Sequence, residues 1–234
     1  NGFSAAQHLI LSKRNLIAFE TIKKAIGLPF IAKPVDDGCS SAVKKIKNEG
    51  EIQAYCEIAF REQEEIPAKA ASILLLKPNE AFPAKNEILL ESLLCQKPDD
   101  DRFMEITIGL FTEQTENGLQ YQVFEPSETL AGEDVLSLEE KFLAGEGQNI
   151  TPARMTDHPE TYHTLASQLK EEIANAARLL QIEGYCRIDA FIHIKGDQLS
   201  VDFIEVNSLP GMTPATCIFH QAALENLKPL QFIE

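Results

Sequence analysis

An α+β fold is the class this sequence predicts, on three observations. Two pairs of strand-like runs close on the turn signals Asn117-Gly118 and Gly196-Asp197, a long segment ahead of Gly184 has helical spacing, and short apolar runs bounded by proline supply further strands. The chain has 234 residues and is 44% hydrophobic, enough to bury a sizeable core as one large domain or two lobes.

From Phe3 to Gly27 the apolar residues fall at roughly helical spacing, with Ser4 as an N-cap and Gly27 as the stop, which predicts one or two helices. The run "LPFIAKP", the small-residue loop "DDGCSSAV" and the run "VKKIK" predict strand, tight loop, strand. Helical spacing returns in "GEIQAYCEIAFREQEEI", whereas "ASILLLK" and "NEILLESLL" read as strands on either side of the polar "PNEAFPAK". "CQKPDDDR" predicts a surface loop with three solvated acids, and "MEITIGLFTE" with "LQYQVFEP" predicts an antiparallel pair. The clearest helix lies between His158 and Gly184. Pro159 stands near its start, and its stripe of Leu165, Leu169, Ile173, Ala176, Ala177 and Leu180 suits core packing.

The formal net charge of −15 and the pI near 4.8 argue against a nucleic-acid or anionic-membrane surface and favour a small-molecule site. Five cysteines, Cys39, Cys56, Cys95, Cys186 and Cys217, form no CxxC pair, which fits a reducing, cytoplasmic compartment. No apolar stretch reaches the roughly 18 residues needed to span a bilayer, and the first residues lack the order of a signal peptide. Beginning at Asn1 without methionine and ending within "LQFIE", the chain reads as a fragment.

The last hairpin, "YCRIDAFIHIK" with "QLSVDFIEVN", carries the chemistry. A three-residue loop of Gly196, Asp197 and Gln198 sets Asp189 opposite Glu205 and Arg187 opposite Asn207, leaving Ile188, Ala190, Ile192, Ile194, Ile204 and Val206 on the apolar face. A two-residue loop instead sets Asp189 opposite Ile204, with Arg187 free to pair with either acid as an ordinary salt bridge. Both registers are open from the residues alone. In the first, two facing carboxylates repel unless a proton or cation intervenes, and two acids with an amide oxygen form a hard donor set for Mg²⁺ or Mn²⁺ shared with substrate phosphates. The loop after Lys33 adds Gly38 and three small residues, a composition that lets backbone N–H groups approach phosphate and that also occurs in simple β-turns.

The stretches "LPFIAKPVDDGCSS", "KFLAGEGQNITPA", "GYCRIDAFI" and "IEVNSLPGMT", in that order, resemble the D-alanine–D-alanine ligase family of ATP-grasp enzymes over roughly Leu28 to the C-terminus. The resemblance implies an ATP-grasp fold of two α+β lobes, each an antiparallel or mixed sheet with flanking helices. Residues 1–91 would be a leading helix and the smaller lobe, and 92–234 the larger lobe. It implies that D-alanine is activated by ATP as an acyl phosphate and attacked by the amine of a second D-alanine. Lys33 and Lys141 match lysines that hold ATP phosphates, with Gly38, Cys39 and Ser40 in the covering loop. Glu91 and Leu94 match the segment beside adenine, and Glu105 the ribose-binding acid. Asp189, Glu205 and Asn207 match the metal ligands for Mg²⁺ or Mn²⁺, and Arg187 with the backbone N–H of Gly211 would stabilise the tetrahedral oxyanion. Thr216 stands where the family has a serine that holds the second substrate's carboxylate.

The chain departs from the family pattern in three ways. Nothing before Leu28 is long enough for the family's N-terminal domain, which helps bind the first D-alanine. Cys39 replaces a serine and Phe142 replaces a tyrosine, two hydroxyls linked by hydrogen bonds to that domain. Their loss changes how the second substrate's nucleophile is handled, so the resemblance also allows a D-hydroxy acid in place of the amine. The expected partners are therefore small molecules, ATP and D-alanine or a related acid, with neither nucleic acid nor membrane; a homodimer of the full-length protein is allowed for. A nucleotide-binding module without ligation is the alternative from a different class.

Overall fold

The computed structural model describes residues 2–37, 41–78, 80–130, 149–211, 216–228, 230 and 232. They form two compact units: Ala6–Leu94, and residues 2–5 with the described residues from Cys95 onward. Among the described residues no helix is long and apolar enough to cross a membrane.

In the smaller unit four antiparallel strands run in the order β2-β5-β3-β4: β2 (His8–Ser12), β3 (Phe30–Pro34), β4 (Lys44–Ile46) and β5 (Glu87–Ser92). Strict alternation in β3 buries Phe30 and Ala32 and turns Lys33 to the opposite face. The core also takes Ile22 and Ile26 from α1 (Phe19–Ile26) and Tyr55 and Ile58 from α2 (Glu49–Ala59). Helix α1 stops at Gly27, where φ is +78°, as expected from the sequence. A reciprocal cap starts α2: the Glu51 amide donates to Asn48 Oδ1 at 3.0 Å, and the Lys47 amide donates to Glu51 Oε2 at 2.6 Å.

Two expectations fail here. The opening segment is not helical before Phe19: β1 (Ser4–Ala5) and β2 precede α1, because "HLILS" finds β5 as a partner and five apolar-rich residues carry no period of their own. The stretch "ASILLLK" opens with the last three residues of α3 (Ala68–Ile73) and forms no strand, since the alanines of α3 favour helix and the stretch has no sheet edge to join.

The larger unit holds seven strands among the described residues. Their order is β1-β11-β10-β6-β8-β9, with β7 also on β6; the new strands are β6 (Arg102–Thr115), β7 (Gly118–Val123), β8 (Ser127–Thr129), β9 (Asn149–Ile150), β10 (Tyr185–Lys195) and β11 (Gln198–Asn207). The expected hairpin of β6 and β7 closes at Thr115 and Gly118. Helix α4 (Pro159–Leu179) covers the sheet with Leu165, Leu169 and Ile173, packed with Ile188, Ala190 and Ile192. Burying each large aliphatic side chain contributes about 1.5–3 kcal/mol. Leu180 leaves the expected stripe and is exposed, because α4 ends before it: Gln181 has φ +53° and the Ile182 amide bonds Ala177 O, a Schellman ending.

Both registers considered for the last hairpin occur, in different halves. Its turn is the two-residue Gly196-Asp197, with Gly196 at φ +60°, and Lys195 through Ala190 pair accordingly, ending at Ala190 opposite Phe203. Between Asp189 and Ala190 the register shifts, so that Asp189 faces Glu205 and Arg187 faces Asn207, with Ile204 as the extra residue of a β-bulge. The expected apolar face is corrected in consequence. Val201, Leu199 and Phe203 join the core from β11, whereas Ile204 does not and Val206 is exposed.

The acids of "KPDDDR" are not all solvated. Asp100 Oδ2 lies 2.6 Å from His193 Nδ1, Asp202 Oδ2 lies 3.0 Å from His193 Nε2, and the Ser4 hydroxyl donates to Asp202. Asp101 accepts from the Gly196 amide, tying the acidic run to the hairpin turn. Elsewhere in the unit Arg154 binds Glu128 through two side-chain hydrogen bonds of 2.8 Å.

Two outcomes follow for stability. Gly109 on β6 has no room for a methyl group: an added Cβ would lie 2.8 Å from Gln221 Oε1 and from Ile218 Cγ1, so Gly109→Ala should cost about 1–3 kcal/mol in denaturant unfolding. The Arg154 hydrogen bonds outweigh burial and hold the Glu128 carboxyl below its usual range, so its stabilisation is present above the unfolded carboxyl pKa and lost as pH falls through the folded one. Glu128→Gln should therefore be less stable than wild type by about 1 kcal/mol at pH 7, with the difference closing towards acid in a pH series of melts.

Candidate functional site

In the larger unit the bulge assembles a polar cluster on the face of the sheet that bears Glu105, Thr107 and Gly109 of β6. Arg187 Nε and Nη2 donate to the two oxygens of Asp189 at 3.0 and 2.9 Å. Thr107 Oγ1 donates to Asp189 Oδ1 at 2.6 Å, and Asn207 Nδ2 reaches both Asp189 Oδ2 at 3.3 Å and Glu205 Oε1 at 3.1 Å. Asp189 is 6% exposed, so these donors are what make its burial tolerable. Burial works to lower the pKa of Arg187, and the neighbouring Asp189 carboxylate outweighs it and keeps the pKa above its ordinary value.

Two acids against one guanidinium leave the cluster one negative charge in excess, and its donors are hard oxygens. Among the described residues no three His, Cys, Asp or Glu side chains form a cage for a metal ion. The set instead fits a divalent cation held by one or two carboxylates and completed by phosphate oxygens and water, with the Asn207 carboxamide able to present its oxygen by rotation. Asp189, Glu205 and Asn207 are the residues of this cluster that could hold Mg²⁺ or Mn²⁺.

Of the other predicted residues in this unit, Glu105 is half-buried on β6 opposite Phe191. Gly211 is exposed, with Thr216 near it: a Cβ on Gly211 would lie 3.4 Å from Thr216 Cγ2. Thr216 is also the N-cap residue of α5 (Cys217–Leu224). In the smaller unit Lys33 Nζ and Glu91 Oε2 pair at 2.7 Å. Lys33 faces Leu89 and Ile31 faces Glu91, so the ion pair is the diagonal contact of two neighbouring strands. Leu94 is half-buried beyond the end of β5. Gly38, Cys39, Ser40, Lys141 and Phe142 lie outside the described residues.

The sequence reading missed Thr107 and Gln221. Thr107 was within reach of it, since two-residue alternation puts it on the face of Glu105. Gln221 gave no local signal. It is a fully buried polar residue in α5, accepting from the Gly109 amide at 2.7 Å and donating to Thr107 O at 2.9 Å and Ser127 Oγ at 2.8 Å. Burial pushes the Cys186 thiol up to about 11 and raises Cys217 also, despite Arg187 beside it, so neither of these two is a ready nucleophile.

Comparison with known proteins bears on this geometry. A family model described as "D-ala D-ala ligase C-terminus" matches residues 76–234. The chain is 29% identical over 229 residues to D-alanine–D-alanine ligase of Flavobacterium psychrophilum and 30% identical over 227 residues to that of Phocaeicola vulgatus. These alignments cover 98% and 97% of the chain but 56% of each ligase, so the chain spans little more than half the length of these relatives. Among solved structures, D-alanyl-alanine synthetase A from Vibrio cholerae gives a TM-score of 0.64 at 19% identity, covering 99% of this chain and 58% of that one. D-alanine–D-alanine ligase from Bacillus anthracis, complexed with ATP, gives 0.58 at 15% identity, covering 99% and 57%. The likeness to these two structures is one of fold, the ATP-grasp fold. Because the family model matches more than half of the chain, including the whole carboxylate cluster, the chain belongs to the D-ala D-ala ligase C-terminus family.

Proposed function

We propose that the chain is the ATP-binding and ligating part of an enzyme that joins two D-amino acids, D-alanine to D-alanine, through an acyl-phosphate intermediate for peptidoglycan precursor synthesis. The observation that carries this reading is the cluster of Arg187, Asp189, Glu205 and Asn207, brought together by a register change and lying within the stretch matched by the family model. The relatives from Flavobacterium psychrophilum and Phocaeicola vulgatus are D-alanine–D-alanine ligases, and one fold neighbour was solved with ATP.

In this reading Lys33 and Lys141 hold ATP phosphates under the loop of Gly38, Cys39 and Ser40, Glu91 and Leu94 contact adenine, and Glu105 binds the ribose. A carboxylate oxygen of the first D-alanine attacks the γ-phosphorus and ADP leaves. The amine of the second D-alanine, its carboxylate held by Thr216, then attacks the carbonyl carbon. Arg187 and the Gly211 N–H stabilise the tetrahedral oxyanion, which collapses with loss of phosphate while the nitrogen gives up a proton. Mg²⁺ or Mn²⁺, when held by Asp189, Glu205 and Asn207, supplies positive charge that offsets the triphosphate. The reaction is assigned to the cytoplasm, and a homodimer of the full-length protein is compatible with it. The hydroxyls lost at Cys39 and Phe142 favour a second reading, a D-hydroxy acid as acceptor.

Calorimetry on the full-length protein should show binding of ATP with Mg²⁺, weakened about tenfold or more in Glu205→Gln with unchanged circular dichroism. A folded wild-type protein that takes up no nucleotide would count against the reading. Phosphate release from ATP, measured with D-alanine and a panel of D-amino and D-hydroxy acids, should be fastest with D-alanine as acceptor. Faster release with D-lactate would favour the hydroxy-acid reading, and nucleotide binding without any release would leave a module that does not ligate.

A further inference from the structure

On the edge of β6 away from β10, the sheet has a gap. Pairing with β7 stops at Leu110 opposite Val123, and pairing with β8 starts at Thr107 opposite Ser127. Between these points the chain leaves the sheet at Phe124, whose amide bonds Gly109 O at 2.9 Å. The carbonyl of Thr107 and the amide of Gly109 are thus buried without a strand to pair with, and a buried polar group left unsatisfied destabilises the fold. Gln221 from α5 fills the gap. Its carboxamide accepts from Gly109 N and donates to Thr107 O, supplying the bonds that a neighbouring strand would have made, and its nitrogen also reaches Ser127 Oγ.

The two residues it holds lie directly opposite the two central residues of the cluster. On the other edge of β6, Thr107 faces Asp189 and Gly109 faces Arg187. Thr107 passes the constraint on through its hydroxyl, which donates to Asp189 Oδ1 at 2.6 Å. The helix that carries Gln221 begins at Cys217, just after Thr216, and seats Ile218 against the bare α-carbon of Gly109. One carboxamide therefore fixes both the strand behind Asp189 and the helix that follows Thr216.

We propose that Gln221 is a positioning residue, acting through Thr107 to hold Asp189 in the orientation in which it binds a divalent cation. The proposal rests on the ligase reading of the site. Side chains that orient a metal ligand without touching the metal set its affinity, commonly by tenfold or more.

The test uses the full-length protein with ADP present and Mn²⁺ as the probe, its affinity read by electron paramagnetic resonance. Thr107→Val keeps the shape and removes the hydroxyl; it should weaken Mn²⁺ binding about tenfold, and Thr107→Ser should restore it. Gln221→Glu keeps an acceptor for the Gly109 amide and sets an oxygen against the Thr107 carbonyl; it should weaken Mn²⁺ similarly. The double variant Thr107→Val with Gln221→Glu should be no weaker than the poorer single one, because both act on the same carboxylate. Should Gln221→Glu fail to fold, the Thr107 pair decides. Unchanged Mn²⁺ affinity in folded Thr107→Val or folded Gln221→Glu, or full additivity in a folded double variant, overturns the proposal and leaves the ligase reading intact. A wild-type protein that binds no Mn²⁺ with ADP overturns the ligase reading, and the proposal falls with it.

Discussion

The register shift between Asp189 and Ala190 is the constraint on which the site depends. The two-residue turn at Gly196-Asp197 suits the twist of the flanking strands, and continued without a break its register would set Asp189 opposite Ile204. One extra residue on β11 changes this. It lets the half of the hairpin near the turn keep Val201 and Phe203 in the core while the far half turns Glu205 and Asn207 towards Asp189 and Arg187. A one-residue change of register exchanges the two faces of a strand, so a bulge is the economical way to have an apolar face first and a polar one afterwards.

Having gathered two carboxylates, the fold has to make their closeness tolerable. Glu205 stays exposed, whereas buried Asp189 depends on directional donors: the guanidinium of Arg187, the hydroxyl of Thr107 and the amide of Asn207 all reach it. Breaking one partner of such a buried charged network leaves the other unpaired, which is more damaging than the net worth of the pair suggests. The same donors keep the carboxylate in one orientation. Stability and the proposed cation binding thus draw on one set of hydrogen bonds.

A second buried network, nearer the turn on the same hairpin, serves a different end. His193 stands between Asp100 and Asp202, and Asp202 accepts from Ser4, so a histidine on β10 links the loop that follows Cys95 and the short strand β1 to the hairpin. Burial works to raise the Asp100 carboxyl, but the hydrogen bonds from His193 and the Lys97 amide outweigh it and keep it below its usual range. The network joins segments far apart in sequence, at a place where apolar contacts alone would not specify which loop meets which strand.

What the sequence determined by itself was whatever local pattern encodes. The period of α4 and the turn residues of both hairpins made those elements legible, and the spacing of Arg187, Asp189, Glu205 and Asn207 singled out four residues that the structure brings into one cluster. The tertiary structure decided what depends on partners. "HLILS" became a strand because β5 offered it an edge, "ASILLLK" contributed to a helix because no edge did, and the hairpin used both of its possible registers because a bulge separated them. Gln221 shows the limit most plainly, since nothing in "CIFHQAAL" distinguishes a solvated glutamine from one that completes a sheet 112 residues away. Local sequence sets backbone preference and the face a side chain takes. Which buried donor meets which buried acceptor is set only when distant segments pack and water is excluded.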